Sequence, residues 1–109
     1  MAFQTIAKEK PEFLVLSVDT AGFQKMSLDI EASRRLDESE LRSLAREIYK
    51  NVRGHEYGQF FMTWYLPGMI PGSGAWATTH FTPRLTVKIM DWMLEYNPPT
   101  EQYSQPAAP

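Results

Sequence analysis

The sequence predicts an α+β domain: a single antiparallel β-sheet packed on one amphipathic helix, in the element order ββαβββ. Three observations carry that expectation. Met26, Leu28 and Ile30 alternate with Lys25, Ser27, Asp29 and Glu31, which is the two-residue period of a half-buried strand. From Leu41 to Val52 the apolar residues recur at 3.6-residue spacing instead. From Gln59 to Ile89 the period of two returns in segments rich in aromatic and β-branched residues, broken by a loop of glycine and proline.

Taken in order, residues 1–10 read as a polar leader, residues 11–96 as the domain, and residues 97–109 as a proline-rich flexible tail. Phe13 to Val18 is a short apolar run expected to form the first strand, and Asp19 to Gly22 supplies turn residues after it. The alternating segment is the second strand, with one face buried and one wet, as in antiparallel sheets covered on a single side.

The helix has a clear start. Asp37 is placed as the N-cap, Glu40 three residues later completes a capping box, and Leu36 and Leu41 have the spacing of a hydrophobic staple. Leu41, Leu44, Ala45, Ile48, Tyr49 and Val52 form its apolar stripe, and Gly54 is placed to end it. So short an amphipathic helix needs an apolar partner, and the sheet supplies one.

Gln59 to Leu66 is the third strand, with Phe60, Met62, Trp64 and Leu66 on one face and Phe61, Thr63 and Tyr65 on the other. Aromatic residues on both faces mark a central strand. Ala75 to Phe81 and Arg84 to Ile89 follow, with Leu85, Val87 and Ile89 expected to face inward. Met90 to Tyr96 either extends the last strand or makes a helical turn or two, and its Trp92, Met93 and Leu94 suggest packing.

Composition bounds the function. In 109 residues there is room for one core, with an apolar fraction of 43% and a charged fraction of 22%, both ordinary for a globular domain. A net charge of −2 gives no global attraction to nucleic acid or anionic lipid, so any such contact must come from a local patch. The absence of cysteine excludes disulfides and thiolate metal sites. Lys8, Glu9 and Lys10 interrupt any signal-peptide core, and no apolar run approaches the roughly 20 residues of a membrane span. A cytoplasmic protein is expected.

The text YLPGM, Tyr65 to Met69, followed by GSGAWATTHFTP, Gly72 to Pro83, resembles a small bacterial α+β domain family of unassigned activity. The resemblance spans about Lys25 to Ile89 and departs from Met90 onward. It implies a domain identity without a mechanism.

Three sites follow from the residues themselves. Ile70 and Met69, on a glycine and proline scaffold with Leu66, join Phe61, Tyr65 and Trp76 of the second sheet face as an expected contact surface for a protein partner or a second copy. This makes a non-enzymatic interaction module the leading expectation. Arg42, Arg46, Lys50 and Arg53 form a basic stripe on the helix, with Arg34 and Arg35 just before it; a solvated face is the plain explanation, and phosphate or acidic-partner contact the functional one. His80 shares a strand face with Thr78 and Trp76, which suggests either a structural histidine or a hydrolase-like general base whose nearest downstream carboxylate is Asp91. The loop from Pro67 to Gly74 lacks the lysine and following helix of a phosphate loop. His55 and His80 have no metal-motif spacing, and neither a cofactor nor a metal is expected.

Overall fold

In a computed structural model, which describes residues 10–103, the chain is a five-stranded sheet with one main helix on one face. The strands are β1 (Phe13–Ala21), β2 (Lys25–Ala32), β3 (Gln59–Tyr65), β4 (Ala77–Phe81) and β5 (Leu85–Ile89), and they lie side by side in chain order. The helix α1 (Glu38–Asn51) joins β2 to β3, and a single turn, α2 (Met93–Tyr96), follows β5. No helix among the described residues is long and apolar enough to cross a membrane.

The sheet is mixed, which corrects the expectation of a purely antiparallel one. β1–β2, β3–β4 and β4–β5 pair antiparallel, but β2–β3 is parallel. The cause lies in the connection: a chain that leaves β2 through a helix is carried back to the starting end of the sheet, so the adjacent strand must run the same way.

α1 begins as its sequence requires. Asp37 accepts from the Glu40 amide at 2.8 Å and the Glu40 carboxylate accepts from the Asp37 amide at 3.2 Å, the two halves of a capping box. Arg34 donates to the same carboxylate at 2.6 Å and holds Glu40 below the usual carboxylate range. The helix ends before Gly54, contrary to the expectation that Gly54 ends it. Arg53 is the left-handed residue, at φ 56°, and Gly54 opens a single 3-10 turn.

α1 lies over β4 and β5 and seats Leu41, Leu44, Ala45 and Ile48 in a core with Leu28, Ile30, Phe60, Met62, Trp64, Ala77 and Phe81. Tyr49 stacks on Phe81 with ring centroids 3.9 Å apart. The buried Trp64 indole donates to the Thr79 hydroxyl at 2.9 Å, so neither polar group is left unsatisfied.

Several boundaries move. β1 runs on through Asp19, Thr20 and Ala21, and the turn falls at Gly22 to Gln24. β4 starts at Ala77, so Trp76 precedes it and does not share an exposed face with Thr78 and His80; it is wholly buried. β3 ends at Tyr65 and β5 starts at Leu85.

Residues 97–103, expected to begin a flexible tail, are docked. The side chain of Asn97, 3% exposed, accepts from the Ile70 amide and donates to the carbonyls of Ile70 and Gly74, all at 2.8–2.9 Å. The Thr100 amide donates to the Pro67 carbonyl at 2.8 Å. Two loop glycines admit the chain after β5: a Cβ at Gly68, φ 95°, would collide with Thr100 of this segment, and one at Gly74, φ 118°, with Met93 of α2. The rest of the expected tail, and all but Lys10 of the expected leader, lie outside the described residues.

Candidate functional site

The structure disperses the contact surface expected from the sequence. Tyr65, Leu66, Met69 and Trp76 are all buried. Loop residues 66–74 fold back over the Tyr65 end of the second sheet face, where the Tyr65 hydroxyl accepts from the Gly72 amide at 2.9 Å, and the 97–103 segment seals the loop from outside. Met69 points inward, its sulfur 3.3 Å from the Leu66 amide. Of the six residues, Phe61 is half-buried and Ile70 alone is exposed.

The second face is therefore closed at one end and open in its middle, where side chains stand in cross-strand rows. One row runs Asp19, Ser27, Phe61, His80 and Thr86; the next runs Ser17, Asp29, Thr63, Thr78 and Lys88. Phe61 has two close neighbours. His80 stacks on it at 3.5 Å, and the Lys25 ammonium lies 4.9 Å from its centroid. Asp29 is occupied as well, accepting from the Ser17 hydroxyl at 2.7 Å and from the Thr63 hydroxyl.

Among the described residues the His80 ring has no hydroxyl or carboxylate partner. Its Nε2 is buried without a hydrogen-bond partner, and burial, aided by the nearby Lys25 charge, pushes its pKa down. Thr78 stands one row away and does not bond to the ring. Asp91, the carboxylate a triad would borrow, is held by the Trp76 indole at 3.0 Å and by Arg35 at 2.5 Å. His55 is exposed in the 3-10 turn after α1. Among the described residues no group of three or more His, Asp or Glu could hold a metal ion.

The basic stripe is partly neutralised. Arg42 pairs with Glu38 at 3.2 Å and Arg53 with Glu56 at 2.7 Å, while Arg34 and Arg35 bind Glu40 and Asp91. Arg46 and Lys50 are exposed on α1, so the stripe reduces to two cations at four-residue spacing.

The feature that sequence reading missed is β1. By register Val15 faces with Ile30 and Val18 with Leu28, on the α1 side of the sheet, yet α1 lies over the opposite edge and leaves them uncovered. Val15 is 44% exposed and Val18 56%, with Leu14 at 62% on the other face and Leu16 at 40% at the β-bulge between Val15 and Ser17. β1 is also an edge strand, so half its backbone N–H and C=O groups turn away from β2. Among the described residues no segment pairs with that outer edge. The available signal was the run FLVLSV, six residues without a charge, read only as the first strand.

The chain matches no protein-family model, and no curated protein or solved structure matches it.

Proposed function

We propose that this domain is a non-enzymatic interaction module that binds protein by adding a strand to the β1 edge. The class of function is the one expected from the sequence; the surface is different. The observation that supports it is the combination, in one nine-residue edge strand, of open backbone hydrogen-bonding groups with exposed Leu14, Val15, Leu16 and Val18. Unprotected edges of this length are rare in proteins that stay alone, because they template pairing with another chain. Strand addition uses both halves of the feature: backbone hydrogen bonds give affinity, and alternate side chains meet the two sheet faces. Exposed Ile70, and the exposed pair of Tyr96 on α2 and Trp92 just before it, belong to other segments, while exposed Phe23 sits in the turn that joins β1 to β2.

The test is a titration of isotope-labelled protein with extended, proline-free nonapeptides, followed by amide NMR. Shifts should concentrate on residues 14–18 and their β2 partners. Shifts confined to the 66–74 loop or to α1, or none at all, would remove the β1 edge as the binding surface.

A further inference from the structure

Backbone pairing alone would accept any extended chain, but the ground around β1 is charged on one face. On the face away from α1, Asp19 lies on β1 itself, and Asp29 and Glu31 lie on β2, opposite Ser17 and Leu14. Glu12 stands exposed just before the strand. Asp29 receives two hydroxyl donors, but no basic group is paired with any of the four among the described residues. Among the described residues the cations on this face are Lys25, at the hairpin end with its ammonium over the Phe61 ring, and Lys88 on the far strand β5, while Lys10 and Arg34 line a pocket with Glu12. The other face of β1 is uncharged and apolar, with Phe13, Val15 and Val18.

Resting on the strand-addition reading, we infer that the β1 edge selects an extended partner segment in which apolar residues alternate with lysine or arginine. Successive side chains of an added strand fall on opposite faces. One set would then cover Val15 and Val18 beside the helix, and the other would stand over the four carboxylates. Opposite charges across neighbouring strands are favourable and like charges are not.

Two other occupants fit less well, one by charge and one by length and symmetry. Antiparallel pairing with a second copy would lay the Asp19 end of one β1 beside the Glu12 and Glu31 end of the other, like charge against like. β5 of a second copy has the right alternation, Arg84, Thr86 and Lys88 against Leu85, Val87 and Ile89, but offers only five residues to a nine-residue edge. Such a contact is also head-to-tail and does not close. A separate polypeptide is the occupant that fits.

Three capped nonapeptides test this on the full chain: KVTVRVTVK, its neutral counterpart QVTVQVTVQ and its acidic counterpart EVTVEVTVE. At low salt the basic peptide should bind about tenfold or more tightly than the acidic one, with the neutral one between, since interfacial charge sets partner choice. The gap should narrow at about 1 M salt, where the Debye length shrinks to about 3 Å. Asp19→Asn combined with Glu31→Gln should erase the discrimination and leave neutral-peptide binding in place. Equal affinity for all three overturns the charge inference and leaves strand addition standing. Failure of all three to bind overturns both. Sedimentation showing that the wild-type chain dimerises or polymerises through β1 overturns the separate-partner assignment, and a strict monomer that binds the basic peptide upholds it.

Discussion

β5 and β1 both end the sheet, yet they are finished in opposite ways. β5 has five residues, carries Lys88 in mid-strand with Arg84 just before it, and lies under α1. β1 has nine, bears no charge from Phe13 to Val18, and has no helix over its apolar side. Short length, charge and cover are three means by which sheets discourage pairing at an edge. One edge has all three; the other is long and uncovered and has only a bulge and, toward its end, Asp19. The difference teaches that half of the large apolar side chains exposed among the described residues, Leu14, Val15, Leu16 and Val18, gather on one edge. α1 is simply placed off-centre, and the strand farthest from it is left open.

The contrast breaks most visibly under a buried charge. Leu44→Asp, on the α1 face that packs the core, should destabilise by roughly 3–5 kcal/mol, because an unpaired carboxylate has no partner there. Val18→Asp on β1 should change stability by no more than about 0.5 kcal/mol, as surface substitutions do. Urea denaturation of the pair checks both, and similar losses would mean that β1 is buried in the protein in solution.

The docked C-terminal segment gives the next effect. Asn97→Ala removes three hydrogen bonds that hold the loop at Ile70 and Gly74, and should cost about 1–3 kcal/mol. Hydrogen exchange at the Ile70 amide should accelerate while exchange in β1 stays unchanged. Unaltered Ile70 protection would show that the loop is held by other contacts.

Edge protection can be sharpened by exchanging the rules. Lys88→Val should make β5 resemble β1 and produce concentration-dependent association in sedimentation, whereas Lys88→Arg should not. On β1, Val15→Lys with Val18→Lys should abolish peptide binding with a melting temperature within a few degrees of wild type. A Lys88→Val protein as monodisperse as wild type would show that length and the α1 cover protect β5 without the charge.

The smallest expected effect concerns pH. His80 has its pKa pushed below the ordinary 6.5 by burial and then by Lys25, so the unfolded chain binds this proton more readily than the folded one. Stability from this residue is full above about pH 6.5 and is lost as pH falls through the folded pKa. His80→Gln should flatten that part of the stability–pH profile. A slope that persists unchanged in the variant would assign it to another group.

Much of the fold was legible in the sequence because it is set by local chemistry. Asp37 and Glu40 make their capping box within four residues, the Leu41–Ile48 stripe follows from helical spacing, and the alternation in β2 and β3 fixes which side chains enter the core. None of these depends on where distant segments lie. The candidate site was illegible for the opposite reason. Tyr65, Leu66 and Met69 look like a surface in the chain because nothing near them in sequence covers them; Asn97 and Thr100, about thirty residues on, hold the loop over Tyr65. Trp76 reads as part of an exposed face until Asp91, itself held by Arg35, is brought to its indole. FLVLSV reads simply as the first strand; its place at the end of the strand order makes it an edge, and the off-centre placement of α1 leaves its apolar side uncovered. Residue types and their periods determined the elements and their buried sides; the parallel β2–β3 pair, the cover over each face and the exposure of β1 were decided by tertiary packing, because a single helix is narrower than the five-stranded sheet it must cover.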